Sequence, residues 1–549
     1  MGAQKTARDE EFRAFTGGAW SRLLRTAYLL AGDRYGAEDL VQQALERACV
    51  AWGRVRAADD PNVHVRRILV NEHARRFRRG PTGHLVDALP NGPRRSGPAR
   101  TTGPGCSPCS PLCRRATAAS LPPIVGVVRH SGRRWVAWRR RRMGRWPMSG
   151  PTGLSEDRLG RLRGVLSRHV EQGQVPGLVA AVARDADLHV EVLGSLDTVG
   201  SAPMRRDTLF RIASMTKPVT AVAALTLVEE CRLRLDDPVD DLLPELADRR
   251  VLRRPDGELD DTEPALRPIT LRDLLTFGLG YGFAMLPPSA PIARATAERG
   301  VDVRPPRTDY PEPDEFLRRL GELPLLHQPG AGWRYHTGST VLGILLARAC
   351  GKPLGEVLRE RVLDPLGMRD TGFTVPADQL HRLPVEYVRD RASGRLVPYD
   401  DPADSAWARQ ARLDDGGGDL VSTLDDYLAF ARMLLAGGEG AGGVRILSRP
   451  AVELMTTNHL SAVQLADSAP LLGRDELTGW GFGVSVATSR TGLAAPGRYG
   501  WDGGLGTVWF NDPAERLTGV LLTQRMFENP APPAVARDFE VLAYQALAG

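Results

Sequence analysis

Leu209-Phe210-Arg211-Ile212-Ala213-Ser214-Met215-Thr216-Lys217-Pro218 is the stretch on which the reading of this chain turns. An apolar run enters an S-x-x-K tetrad, and a helical stretch carrying Val222, Leu225 and Val228 leaves it. Three residues along a helix bring the lysine amine onto the face of the serine hydroxyl, one turn away. A serine hydroxyl is a poor nucleophile at neutral pH, whereas an adjacent amine whose pKa is lowered by burial accepts its proton. The helix N-terminus favours the negative charge that develops nearby. Ser214 is therefore the candidate nucleophile and Lys217 its base.

Outward from this stretch the texture is mixed α and β. Ser155 is expected to cap a helix carrying Leu159, Leu162, Val165, Leu166 and Val170, and Pro176-Gly177 breaks it. Leu178 to Arg184 and Leu188 to Leu193 then form a hairpin around Asp185-Ala186-Asp187. Downstream, PGAGWRYHTGSTVLG at 329–343 places Tyr335 after a Pro-Gly turn and before an apolar helix expected from near Thr340. Near the C-terminus, Gly500-Trp501-Asp502-Gly503-Gly504-Leu505-Gly506-Thr507 leads into Val508-Trp509-Phe510, and Leu517 to Thr523 reads as another strand. Glycines beside a strand let the backbone approach a ligand closely, as an oxyanion-binding edge requires. His336 and Asp502 also admit a Ser-His-Asp arrangement, but Ser214 lacks the G-x-S-x-G elbow that would accompany it. No H-E-x-x-H, P-loop or dinucleotide fingerprint stands out, so neither a metal nor a cofactor is expected.

Ser-x-x-Lys, then a tyrosine, then a glycine-rich strand near the C-terminus resembles the serine β-lactamase superfamily, specifically its class C branch and the family VIII carboxylesterases. The resemblance spans nearly all of residues 150–549, including PGLVAAVAR, TLFRIASMTK, LRDLLT, GGGDLVSTLDDYLAF and GWGFGVSV. It implies an α+β fold, a β-lactamase/transpeptidase-like antiparallel sheet flanked by helices plus an all-α domain. It further implies an acyl-enzyme on Ser214, proton transfers shared by Lys217 and Tyr335, and an oxyanion held between the N–H groups of Ser214 and Gly504. Trp501, Asp502 and Gly503 occupy the place of the family's Lys-Thr-Gly triplet, and Thr337 falls where its Tyr-x-Asn motif carries the amide. These four are the expected substrate-binding residues. Without that amide and that cation the site has less attraction for a β-lactam carboxylate, which favours a small ester or non-lactam amide as substrate. A β-lactamase or D-peptidase is the alternative within this class.

The rest of the chain is different in kind. At 549 residues it is too long for one ordinary domain. Its net charge of +6 conceals a division: 28 Lys+Arg against 11 Asp+Glu up to Pro147, and 44 against 55 beyond. Such a split suits a nucleic-acid-facing segment joined to an acidic enzyme. Leu40, Val41, Ala44, Leu45, Ala48 and Trp52 recur at helical spacing, and Asp60-Pro61 opens a second helix with Val65, Ile68 and Leu69. GDRYGAEDLVQQALERACVAW followed by DDPNVHVRRILVNEHARRFRR is similar to region 2 of the extracytoplasmic-function sigma factors. That resemblance implies a small all-α domain over 1–80, RNA polymerase contacts at Asp39 and Gln42, and promoter DNA contacts at Arg66, Arg67, Arg75 and Arg76. Nothing after residue 80 resembles region 4, the unit that reads the upstream promoter element. A second function class follows, a transcription regulator in which the hydrolase-like part is a sensor.

Residues 81–147 contain nine prolines between Pro81 and Pro123 and end in an arginine cluster with Trp135, Trp138 and Trp146. They read as a disordered linker. Cys106, Cys109 and Cys113 have no clear fourth ligand and read as free thiols. Cys49, Cys231 and Cys350 are expected as reduced core residues. The expected organisation is thus 1–80, 81–147 and 148–549. With no signal peptide and no spanning run apparent, a cytoplasmic location is expected.

Overall fold

A computed structural model of the chain describes residues 153–283, 286–302, 310–472, 477–490 and 492–548, together with single helical positions between Leu23 and Leu69. The chain divides into two compact units, Met1–Ile124 and Val125–Gly549. In the first, Leu40, Val41, Ala44, Leu45, Ala48, Trp52, Val65 and Leu69 are helical and buried together with Leu23, with Ile68 packed against them. The apolar stripes in the sequence therefore meet in one small core. Asp39, Gln42, Arg66, Arg67, Arg75, Arg76, Cys49 and the whole segment 81–147 lie outside the described residues.

The second unit is built on a seven-stranded antiparallel sheet. Its strands are β1 (Gly177–Arg184), β2 (Asp187–Gly194), β3 (Thr478–Trp480), β4 (Ser485–Ala487), β5 (Tyr499–Gly503), β6 (Thr507–Asp512) and β7 (Leu517–Thr523), in the spatial order β2-β1-β7-β6-β5-β4-β3. The β1–β2 hairpin opens the sheet, a long helical excursion follows, and five strands complete it. Residues alternate between the two faces of a strand, and both faces here are covered. Leu178, Ala180, Val182, Val508, Phe510, Leu517 and Leu521 join a core with α1 (Glu156–Glu171) and the C-terminal helix Ala534–Gln545. Val179, Ala181, Ala183, Trp509, Val520 and Leu522 join the larger core, which contains α2 (Thr216–Glu229). That explains why β1 is an unbroken apolar run, GLVAAVAR, buried along its whole length.

Helix α2 is apolar on every side and buried from Thr216 to Leu227, as a central helix must be. It packs against α3 (Thr337–Cys350), while α4 (Leu424–Leu435) lies on β6 and β7. Three details differ from the sequence expectations. Ser155 stands at the N-cap of α1 but its side chain makes no capping bond; Glu156 and Asp157 supply negative charge to the first turn instead. Helix α3 starts at Thr337 rather than near Thr340, because a turn at His336 redirects the chain directly into it. Cys231 and Cys350 are free thiols, yet Cys231 is exposed and Cys350 only half-buried, because one follows α2 and the other ends α3. Among the described residues no helix is long and apolar enough to cross a membrane.

Phe510 is fully buried opposite Gly519, where an added Cβ would meet its ring at 2.4 Å. Phe510→Ala leaves a cavity between sheet and helices and is expected to cost about 3–5 kcal/mol. A urea titration checks this as a lower midpoint with an unchanged slope.

Candidate active site

The serine lies at a junction of three segments. Phe210 and Arg211 pair with Ser422 and Val421, which ties the approach to Ser214 onto the strand leading into α4. The buried Arg211 guanidinium pairs with Asp400, donates to Pro384 O at 2.9 Å and lies 5.2 Å over the Trp407 ring, so this approach is rigidly held. Ala213 then takes φ 44, an uncommon conformation for a residue with a Cβ. Ser214 sits in the 3₁₀ turn Ala213–Met215, which runs into α2. Lys217 lies in the first turn of α2, so the S-x-x-K spacing leaves the lysine about one turn beyond the serine on the same side. Tyr427 of α4 donates to Met215 O at 2.9 Å and clamps the turn from behind.

Lys217 is 1% exposed, and its amine lies 2.9 Å from Ser214 Oγ. It also contacts His336 Nδ1 at 3.1 Å and donates to Gly417 O. Burial pulls its pKa down to about 7, against the opposing pull of the Asp415 and Asp419 carboxylates. The amine lies 4.6 Å from the centre of the Tyr335 ring. Ser214, Tyr335 and His336 are only half-buried, so the reactive edge of the cluster is open to a ligand while the amine is not.

Tyr335 belongs to an aromatic wall with Phe277, Trp333, Trp480 and Trp501. The Trp501 indole N–H donates to the Tyr335 phenol oxygen at 2.7 Å. Burial raises the phenol's pKa despite hydrogen bonds with Ser214 and Trp501, and the charges of Asp502 and Asp415 add to the rise. The phenol therefore keeps its proton through the neutral range. Gly503, at the end of β5, is pressed against the serine turn: a Cβ there would lie 2.2 Å from Ile212 O and 2.2 Å from Thr507 Oγ1. Gly504 is exposed with open space around it. Asp502 is half-buried on β5, and Thr337, buried, opens α3.

The structure thus brings Ser214, Lys217, Tyr335, Trp501 and Gly503 into one cluster. It corrects the Ser-His-Asp alternative. His336 Nδ1 faces Lys217 rather than Ser214, and its Nε2 meets Asp415 Oδ2 at 3.0 Å, not Asp502. Trp501 is not merely a vacancy left by the family's cation, because its N–H is spent on the tyrosine.

Comparisons with known proteins show the family of the chain. A family model described as Beta-lactamase matches residues 162–543. The chain belongs to that family. It is 41% identical over 366 residues to Protein Rv1367c of Mycobacterium tuberculosis, covering 64% of this chain and 87% of that one. It is 33% identical over 403 residues to Esterase EstB of Burkholderia gladioli, covering 70% of this chain and 95% of the esterase. Among solved structures, EstCE1, titled a hydrolase with promiscuous acyltransferase activity, superimposes with a TM-score of 0.57 at 26% identity, covering 71% of this chain and 99% of that one. Membership places the protein among the serine hydrolases.

Asp415 and Gly417 escaped the sequence reading. The run Asp414-Asp415-Gly416-Gly417-Gly418 was the available signal, because three glycines beside a carboxylate mark a backbone that must approach something closely. The two site glycines are expected to respond differently to a methyl group. Gly503→Ala forces the serine turn to move and should destabilise by about 1–3 kcal/mol, whereas Gly504→Ala meets nothing and should leave thermal unfolding unchanged. Equal melting temperatures for the two variants would contradict this packing.

Proposed function

We propose that this protein hydrolyses a small ester or non-lactam amide through an acyl-enzyme on Ser214. The observation that carries the proposal is a buried amine, poised near neutrality, 2.9 Å from a half-exposed serine hydroxyl. In the first step Ser214 Oγ attacks the substrate carbonyl carbon while its proton passes to Lys217 Nζ. The N–H groups of Ser214 and Gly504 serve the oxyanion of the tetrahedral intermediate. The C–O or C–N bond to the leaving group then breaks, and that group takes a proton from Lys217 by way of the Tyr335 hydroxyl. Water repeats the sequence on the acyl-enzyme, releasing the acid and restoring the serine. The indole N–H of Trp501 steadies the tyrosine oxygen whenever its proton is in transit.

Trp501, Asp502, Gly503 and Thr337 serve substrate binding in this proposal. The partly exposed Tyr335 ring, backed by Trp501 and the buried Trp480, favours an apolar group, and Asp502 beside it disfavours a carboxylate. That supports an uncharged ester over a β-lactam, in line with the esterase name of the Burkholderia gladioli relative. The full-length chain is expected to cleave short p-nitrophenyl esters and to be labelled by a fluorophosphonate probe. Ser214→Ala should lower kcat by at least roughly 10³-fold and remove the label. Rapid nitrocefin hydrolysis without ester cleavage would reverse the substrate preference. Co-purification with RNA polymerase and no labelling would favour the regulator instead.

The pH dependence has a defined sign. Below a pKa of about 7 Lys217 carries a proton and cannot accept another; above it the amine is free. The raised phenol of Tyr335 does not titrate in this range. kcat/KM should therefore climb as pH rises through about 7 and level off above it. Initial rates between mildly acidic and mildly alkaline buffers check this, and a profile falling over that range would exclude Lys217 as the base.

A further inference from the structure

The amine of Lys217 has three partners in a buried space, and their chemistry dictates which way its lone pair points. A free amine has two N–H bonds and one lone pair. Gly417 O is only an acceptor, so it takes one N–H. The second N–H and the lone pair are divided between Ser214 Oγ and His336 Nδ1, at 2.9 Å and 3.1 Å. If Nδ1 bears a proton, it claims the lone pair, and the serine hydroxyl faces an N–H. If Nδ1 is bare, it takes the N–H, and the lone pair faces the serine proton.

Asp415 decides between these arrangements. Its carboxylate Oδ2 lies 3.0 Å from His336 Nε2, and its Oδ1 accepts from Thr340 Oγ1 at 2.7 Å and from the Gly417 N–H at 2.8 Å. An ionised carboxylate is acceptor-only, so Nε2 carries the imidazole proton and Nδ1 is bare. Burial raises the Asp415 pKa, but its interactions with His336 and Lys217 and the hydrogen bond from Thr340 outweigh it and hold the carboxyl below its ordinary value. Burial lowers the pKa of His336 below its ordinary value, a charge on Lys217 lowers it further when present, and Asp415 and, more weakly, Asp302 pull the other way without reversing the shift.

The backbone is shaped for this placement. His336 takes φ 80, an uncommon value for a residue with a Cβ. A Cβ on Gly417 would lie 3.2 Å from His336 Nε2, so the glycine run makes room for the ring.

We propose that His336 is a positioning residue: fixed by Asp415 as the Nε2–H tautomer, it takes one N–H of Lys217 and so aims the free lone pair at the Ser214 hydroxyl. The proposal rests on the hydrolase reading above. It makes the histidine an aligner of the base rather than a base itself.

Four full-length variants test it. In His336→Asn the amide oxygen stands where Nδ1 stood, and asparagine tolerates positive φ, so the acceptor is kept. In His336→Leu it is lost. In Asp415→Asn the side-chain N–H donates to Nε2 and drives the ring to the wrong tautomer, while the amide oxygen still serves Thr340 and Gly417. The expected result is a kcat roughly 10²-fold lower for His336→Leu and Asp415→Asn with KM little changed. His336→Asn should lie nearer the wild type, and the double variant His336→Leu/Asp415→Asn should be no worse than His336→Leu alone. Equal losses in His336→Leu and His336→Asn, or wild-type turnover in Asp415→Asn, overturn the proposal.

A second measurement does not depend on turnover. In histidine-labelled full-length chain, ¹⁵N NMR above neutral pH should show the signal lost in His336→Leu as an Nε2–H tautomer. An Nδ1–H or doubly protonated ring overturns the proposal. Failure of wild type to cleave esters or to label at Ser214 defeats the hydrolase reading itself, and the NMR result then judges the tautomer assignment separately.

Discussion

A lysine amine enclosed by protein is the constraint around which the catalytic unit is arranged. An ammonium ion removed from water is costly unless its partners are fixed in place, and in a low-dielectric site it sheds its proton more readily instead. Lys217 meets both conditions. Its partners come from three separate stretches of chain: the serine turn, the turn before α3 and the glycine loop at 416–418. Each stretch has to reach the amine with backbone or side chain in one orientation. Thr220 Oγ1 to Gly416 O at 2.8 Å and Thr216 Oγ1 to the Leu420 N–H at 3.1 Å stitch the glycine loop along α2 and make that approach possible.

Strain is concentrated where this convergence is tightest. Ala213 and His336, one residue from Ser214 and one from Tyr335, both take positive φ. Neither would adopt it in an isolated peptide without cost. The surrounding core supplies the compensation: Phe210, Ile212 and Met215 are buried on one side, Trp333 and Phe277 on the other. Rigid packing of this kind holds the serine, the amine and the phenol within hydrogen-bonding range before a substrate arrives, which is where preorganised catalysis gains most.

The aromatic wall has two roles in the same volume. Its buried rings back the partly exposed Tyr335 with apolar packing, and one of its N–H groups, on Trp501, is directed at the phenol of Tyr335. A cation at the position of Trp501 would serve an anionic substrate; an indole serves the tyrosine instead. An aromatic side chain at this place in the glycine-rich strand therefore holds the phenol of Tyr335 by a hydrogen bond that a cation would not make in the same way.

Much of this was written in local sequence. The unbroken apolar run of β1, the mostly apolar α2 and the S-x-x-K spacing are short-range patterns, set by side-chain periodicity and by a helical turn, and they marked the first strand, the buried helix and the serine–lysine pair. Tyr335 and the glycine-rich strand Tyr499–Gly503 were legible through their order along the chain. The partner of His336 was not. Asp502 and Asp415 are both carboxylates near glycines, and no periodicity distinguishes them. Only the packing of the glycine loop against α2 and α3 brings Asp415, 79 residues from His336 in sequence, to 3.0 Å from its ring. Long-range hydrogen bonds depend on where whole elements dock, and docking is decided by the summed burial of the core rather than by any one stretch of residues.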